Sequence, residues 1–170
     1  MAEIRFSEEN MTLLLDVKKE DIDLNKYQEI SMGFELKSEF HITIIGFRGG
    51  EEIKKVLSLM SLSDQGIFIE RIKTLACETN WKYSFINLAH KISKDYSETD
   101  KRESIIQIAE VDGLVQFYND LNEMLNIHLE YPLEHVTLFT RGTDMEKSKM
   151  GIGINSEIEF FALNYVPLNI

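Results

Sequence analysis

Two stretches of the sequence govern the expected fold: FHITIIGF over 40–47 and LEHVTLFT over 133–140. Both are rich in β-branched and aromatic residues, which favour strands. Each contains a histidine, an apolar residue, a threonine and another apolar residue in that order. Residues two apart on a strand project from the same face, so His41 is predicted to lie beside Thr43, and His135 beside Thr137.

The segments around these two strands show further strand and helix patterns. The strands that contain the motifs are predicted over Phe40–Phe47 and Leu133–Thr140. Other strands are predicted over Lys26–Lys37, Trp81–Ile92 and Ser104–Val111, and a last one at the chain end. A loop is predicted over Ser97–Glu103. Helices are predicted over Glu51–Leu62 after a break at Gly49-Gly50, over Ser63–Glu78 with Ser63 as N-cap, from an Asp112 cap to Leu125, and after a Ser156/Glu159 capping box. Strands precede helices twice, with one motif in each half. The order predicts an α+β protein with two lobes that face one cleft.

Length and composition indicate one globular domain over residues 1–170. The chain has 170 residues, of which 44% are hydrophobic and 28% charged, and its apolar runs are too short to cross a bilayer. Its amino terminus has no signal-peptide pattern, and the single Cys77 permits no internal disulfide, so a cytoplasmic location is expected. Cys77 falls late in a predicted helix and is expected to be a small buried residue.

The charge of the chain restricts its expected partners. The formal net charge of −11 repels long polyanions such as DNA or extended RNA. A nucleic-acid substrate is therefore expected to be a small nucleotide or a short oligonucleotide. Neither long nucleic acid nor a membrane is an expected partner.

Two imidazoles and two hydroxyls suit the hydrolysis of a phosphodiester. Opening a cyclic phosphodiester takes one proton from water and gives another to the departing oxygen, and imidazole, with a reference pKa of about 6.5, can do either near neutral pH. Threonine hydroxyls can donate hydrogen bonds to the non-bridging phosphate oxygens. His41 and His135 are the candidate catalytic residues, and Thr43 and Thr137 the candidate phosphate-binding residues. A zinc site is less favoured, because two histidines fall short of the three or four ligands that zinc prefers.

The paired motifs, His41-Ile42-Thr43-Ile44 and His135-Val136-Thr137-Leu138, resemble the two signature motifs of the 2H phosphoesterase superfamily. Its members include bacterial RNA 2′,3′-cyclic phosphodiesterases, ADP-ribose cyclic-phosphate phosphodiesterases and enzymes that cut cyclic or 2′,5′-linked oligonucleotides. The resemblance implies a bilobal fold of two antiparallel sheets related by pseudo-twofold symmetry, with helices outside and the four motif side chains in a central groove. It also implies a phosphodiesterase that needs neither metal nor cofactor.

Two other functions stay open at this point. One is a non-catalytic module that binds or senses a nucleotide, although binding alone does not need a paired acid and base. The other is a role in RNA end processing like that of an RNA ligase. The sequence leaves open the linkage, the nucleobase, the oligomeric state and which histidine acts as base.

Several further residues are candidates for contact with a substrate. Trp81 and Tyr27 can stack on a nucleobase, as can Tyr83. Phe139 and Arg141 are an even number of residues from His135 on the same predicted strand, so their side chains are expected on the same face as His135. His90 is expected to be a buried structural residue and His128 a solvated one. The segment Lys147–Gly153 is a candidate lid.

Overall fold

The computed structural model describes residues 3–170 and shows an α+β fold with a large antiparallel sheet and four α-helices. The strands are β1 Ile4–Ser7, β2 Thr12–Val17, β3 Glu35–Leu36, β4 Phe40–Ile45, β5 Lys82–Asp95, β6 Lys101–Asp112, β7 His135–Gly142 and β8 Asn164–Leu168. The helices are α1 Phe47–Leu57, α2 Leu62–Glu78, α3 Leu114–Leu125 and α4 Glu157–Ala162, and two short 3₁₀ helices span Lys19–Asp21 and Leu24–Tyr27.

The strands form one sheet in the order β1-β2-β4-β7-β6-β5-β8, and β3 pairs with an end of β7. The two strands that carry the motifs, β4 and β7, are therefore direct neighbours near its centre. Two separate sheets related by pseudo-twofold symmetry are not confirmed.

One face of the sheet is covered by α1, α2 and α3. Apolar residues of β2, β4 and β7 pack there against the inner sides of these helices in one continuous core. Ile42 and Val136, the residues between each histidine and its threonine, are fully buried in this core. Because side chains alternate along a strand, their burial turns the histidines and threonines toward the opposite face.

The opposite face is only partly covered. Ile106 and Ile108 of β6 pack there against Ile152, Ile154 and Phe160 in a second, smaller cluster. The C-terminal segment thus closes the face over β5 and β6. His41, Thr43 and Thr137 on the neighbouring strands remain half-buried.

The predicted strand over Lys26–Lys37 is wrong. This region contains the 3₁₀ helix Leu24–Tyr27, turns and only the two-residue strand β3. Its alternating apolar residues are consistent with a strand, but Gly33 has a φ of 80°, in the left-handed region that favours glycine, and lies in a turn.

The predicted helix break at Gly49-Gly50 is also wrong, since α1 begins at Phe47 and contains both glycines. A Cβ on Gly50 would lie 2.0 Å from the carbonyl oxygen of Asn10. The glycine is required because the helix approaches the β1–β2 turn very closely, and it does not end the helix.

Helix caps and boundaries differ from the prediction by a few residues. Ser61, rather than Ser63, caps α2, and its hydroxyl accepts a hydrogen bond from the Asp64 amide. Asp112 is the last residue of β6, and Gly113 at φ 89° is the N-cap of α3. The predicted loop over Ser97–Glu103 is shorter, because β6 already begins at Lys101. Ser156 caps α4 as predicted.

Cys77 is exposed, so the prediction that it is buried is wrong. It lies on the outer side of α2, next to the buried Ala76. Within residues 3–170, none of the helices combines the length and the apolar character that a bilayer crossing requires.

Candidate active site

The register between β4 and β7 brings the two motifs together. Ile42 pairs with Val136 in an antiparallel bridge. Counting one residue to either side places His41 opposite Thr137, and Thr43 opposite His135. Directly opposed residues project from the same face with Cβ atoms about 4.5–5.5 Å apart, so the four motif side chains form one compact group.

The group has an approximate local two-fold axis through the Ile42–Val136 pair. A turn about this axis exchanges the strands and places each histidine where the other one lies. A phosphate above the centre can therefore meet one imidazole and one hydroxyl from either strand. This arrangement suits a reaction that needs a proton donor and a proton acceptor on opposite sides of phosphorus.

His135 is buried, with only 7% of its surface exposed, and its ring is fixed by the backbone. Its Nδ1 lies 2.7 Å from the carbonyl oxygen of Leu133. A carbonyl only accepts, so Nδ1 carries the proton, and Nε2 is the nitrogen that gains or loses one. Burial lowers the pKa of His135, and a charge on His41 lowers it further, while the Leu133 carbonyl acts in the opposite direction.

His41 is half-buried and lies among charged side chains. Its Nδ1 is buried and has no hydrogen-bond partner among the described residues. Burial, followed by the cations Arg5 and Lys37, lowers the pKa of His41, whereas the carboxylates of Asp16 and Glu39 raise it.

Asp16 is the direct cross-strand neighbour of His41 on β2. Its carboxylate accepts a hydrogen bond from Arg5 Nε at 2.7 Å, and Arg5 Nη1 reaches Glu39 at 2.9 Å. Arg5 pairs with Leu14, which itself pairs with Thr43, so the cluster shares the face of the motifs. These residues were not predicted from the sequence, because the pairing of β1 with β2 and of β2 with β4 carries no local signal.

The predicted lid segment lies beside Thr137. A Cβ on Gly151 would lie 3.4 Å from Thr137 Oγ1. Lys37 Nζ donates a hydrogen bond to the Lys149 carbonyl of this segment at 3.0 Å. Ile152, within the segment, is buried in the smaller cluster. Motion of this segment as a lid stays a prediction.

Gly46 and Asn155 adjoin the other threonine. A Cβ on Gly46 would lie 3.5 Å from Thr43 Cγ2 and 3.6 Å from Asn155 Oδ1. The end of β4 and the segment before α4 therefore meet next to Thr43.

Two predicted stacking residues are in the core, so their prediction as substrate contacts is wrong. Trp81 is 2% exposed, donates from Nε1 to the Ala76 carbonyl at 2.7 Å and packs against Phe117. Tyr27 is fully buried against Phe139. An indole or phenol without exposed surface cannot stack on a base. Tyr83 instead donates its hydroxyl proton to Asp21 at 2.6 Å.

Phe139 and Arg141 are on the face opposite the motifs, and the prediction that they contact a substrate is wrong as well. A β-bulge shifts the register of β7, so that Thr137 pairs with Ile106 but Phe139 pairs with Ile105. The extra residue reverses the parity beyond it. Phe139 joins the main core, and Arg141 forms an ion pair with Glu103.

The other two histidines lie outside the group. His90 is buried, as predicted, but it packs edge-on against Phe160 and Tyr165, and its Nδ1 has no partner among the described residues. His128 is exposed, as predicted.

No three His, Cys, Asp or Glu side chains within residues 3–170 come together in a way that could hold a metal ion. Comparison with protein-family models, curated proteins and solved structures finds no match to this chain.

Proposed function

We propose that this chain is a metal-independent phosphodiesterase that hydrolyses a cyclic phosphate or a small cyclic or 2′,5′-linked oligonucleotide. His41 and His135 exchange protons with the attacking water and the departing oxygen. Thr43 and Thr137 donate hydrogen bonds to the non-bridging oxygens. The register Ile42–Val136 is the observation that carries the proposal, because it brings two sequence-distant His-x-Thr motifs side by side on one face of the sheet.

The environment of the histidines supports an acid–base role. Burial lowers the pKa of both, and a charge on His41 lowers the pKa of His135. Protonation of one ring therefore disfavours protonation of the other. This favours one protonated and one neutral imidazole, the combination that a general acid and a general base require. The local two-fold axis of the β4–β7 pair is consistent with the symmetric placement of the motifs that the 2H resemblance implies.

The net charge supports a small substrate. At −11, the chain repels a long polyanion, whereas a single phosphate can be held by the motif side chains. We therefore expect a mononucleotide or a short oligonucleotide to react better than a long RNA with the same terminal cyclic phosphate.

The test is a screen of the purified protein against cyclic phosphates and cyclic or 2′,5′-linked oligonucleotides, read by mass spectrometry with and without excess chelator. A His41→Ala/His135→Ala variant serves as the matched control. We expect products from the wild type in both conditions and none from the variant. Loss of activity with chelator that zinc restores would assign a metallohydrolase instead. Tight binding without turnover would assign the non-catalytic module.

A further inference from the structure

A cavity of about 330 Å³ lies at the end of the motif group where β4 stops. It is enclosed by the start of α1, the segment after α3 and the residues before α4. Gly46 and Asn155, which adjoin Thr43, are both part of its wall. The cavity wall therefore reaches Gly46, next to the Thr43 methyl group.

Gly46 lies between the Thr43 methyl group and Asn155 Oδ1, and we call the space next to this glycine the passage. Its φ of −79° and ψ of 173° are an extended conformation that any residue adopts. The backbone thus does not require glycine at this position. What glycine provides is open space between Thr43 and Asn155.

Asn155 presents a hydrogen-bond acceptor to this passage. Its backbone amide and its Nδ2 both donate to the carboxylate of Glu159, at 3.1 and 2.8 Å. A carboxylate only accepts, so Glu159 fixes the amide orientation and leaves Oδ1 toward Gly46. Oδ1 can accept a hydrogen bond from a sugar hydroxyl or from an amino group of a base.

The remaining lining combines apolar residues with polar ones, among them the exposed His128. Leu129 and Pro132 line the cavity beside Tyr118, which is 3% exposed and donates its hydroxyl hydrogen bond to the Ile44 carbonyl at 2.6 Å. At the rim, Arg48 forms an ion pair with Glu159, while Glu52 and Glu130 are acidic. This charge balance disfavours a second phosphate. The volume is at the small end of the range for ligand pockets, which fits one nucleoside rather than a chain of nucleotides.

We propose that this cavity binds the nucleoside attached to the reacting phosphate, and that Asn155 and the open space at Gly46 determine its recognition. The proposal rests on the phosphodiesterase function proposed above, and it deepens that function by assigning the substrate's neutral side to the Thr43 end of the site. A substrate with a further phosphate on that side is expected to bind less well.

The kinetic test compares a nucleoside 2′,3′-cyclic phosphate with methyl riboside 2′,3′-cyclic phosphate, which lacks the base. In the wild type, we expect kcat/KM to favour the nucleoside substrate by about tenfold or more, equivalent to about 1.4 kcal/mol. Gly46→Leu fills the passage and should reduce this preference to near unity. Gly46→Ala is the control, since its Cβ would make only ordinary contacts at 3.5 and 3.6 Å and should keep the preference. An unchanged preference in a folded Gly46→Leu would overturn the proposal.

A binding experiment separates this proposal from the proposed function. The His41→Ala/His135→Ala variant is titrated with adenosine, guanosine, cytidine and uridine, and backbone amide shifts are followed by NMR. We expect amide shift changes at Gly46 and Asn155 for at least one nucleoside. These changes should be lost in Asn155→Ala, a variant that tests the subsite even if Gly46→Leu does not fold. Nucleoside binding without turnover by the wild type keeps the subsite and rejects the phosphodiesterase. Turnover with no nucleoside shifts at these residues rejects the subsite.

Discussion

His41 and His135 occupy equivalent positions on neighbouring antiparallel strands, but their surroundings differ. The Nδ1 of His135 is bonded to the Leu133 carbonyl, and the ring is buried. His41 is more open, and the Nδ1 atom of its ring has no partner among the described residues. A repeated motif thus specifies where two imidazoles lie, while the neighbouring strands specify how each one titrates.

The source of the difference is the position of each strand in the sheet. β7 is flanked by β4 and β6, and apolar β6 residues such as Ile106 and Ile108 lie beside its motif. On its other side β4 has β2, which places the charged Asp16 and its partner Arg5 beside His41. Burial therefore lowers the pKa of both rings, while a backbone carbonyl acts in addition on His135 and nearby charged side chains act in addition on His41.

The largest expected effect is the loss of either imidazole. His41→Ala and His135→Ala should each lower kcat by about 10²–10⁴-fold, since neither ring can replace the other as acid or base. The double variant should be little worse than either single one, because the two act as a unit. Steady-state kinetics with the substrate found in the screen measures all three.

His90→Ala is the matched control, because His90 is shielded by Phe160 and Tyr165 and lies outside the group. It should keep near-wild-type kcat. If one of the two motif variants also kept it, the two-histidine mechanism would be wrong and the motifs would not be functionally equivalent.

The next largest effect concerns the hydroxyls. Thr43→Val and Thr137→Val should each cost about 1–3 kcal/mol in kcat/KM, the range for a lost hydrogen bond to a charged group. Thr43→Ser and Thr137→Ser keep the hydroxyl and are the controls. Equal losses for the valine and serine variants at one position would show that shape rather than hydrogen bonding matters there.

The shared face of each histidine and its threonine could be predicted from sequence, because period-two alternation is a local signal. Burial of Ile42 and Val136 then confirms that the histidines and threonines share the other face. Local sequence patterns could not predict that β4 and β7 are neighbours, because long-range packing decides the order of strands in a sheet. A cleft between two lobes was expected, and neighbouring strands of one sheet are observed.

The incorrect substrate residues show where counting along a strand fails. The parity of Phe139 and Arg141 matched that of His135, but one bulged residue in β7 moved both to the other face. No residue type near the bulge marks it in the sequence. Trp81 and Tyr27 failed for a different reason, because large aromatic residues gain most from burial in the core.

A third test compares the two histidines through the pH dependence of kcat/KM. Asp16 raises the pKa of His41, so Asp16→Asn should lower that pKa and move the corresponding limb of the kcat/KM profile to lower pH. The limb belonging to His135 should move less, because Asp16 acts on it only through the charge of His41. If the alkaline limb moves, His41 is the general acid, and if the acidic limb moves, it is the base.

Glu103→Gln is the control for this test, since it removes a carboxylate that pairs with Arg141 on the opposite face. It should leave both limbs unchanged. If Asp16→Asn left the profile unchanged as well, the charges near His41 would have no part in setting its titration.

The smallest expected effect is on stability, and its sign follows from the lowered pKa values of both histidines. Their pKa values in the folded protein lie below the unfolded value of about 6.5, so between these values the unfolded chain binds more protons. The resulting contribution to the free energy of unfolding is complete above about pH 6.5. It is lost as the pH falls toward the pKa of the folded protein, by at most about 1.4 kcal/mol per pH unit for each ring. The test measures the free energy of urea unfolding between pH 7.5 and 5.5 for the wild type, His135→Gln and His41→Gln. The difference between the wild type and each variant gives the pH dependence due to that ring. Because His135 is more deeply buried and lacks the carboxylates that surround His41, His135→Gln should flatten the pH dependence more than His41→Gln does. A larger flattening by His41→Gln would mean that charge, rather than burial, dominates the titration of this site.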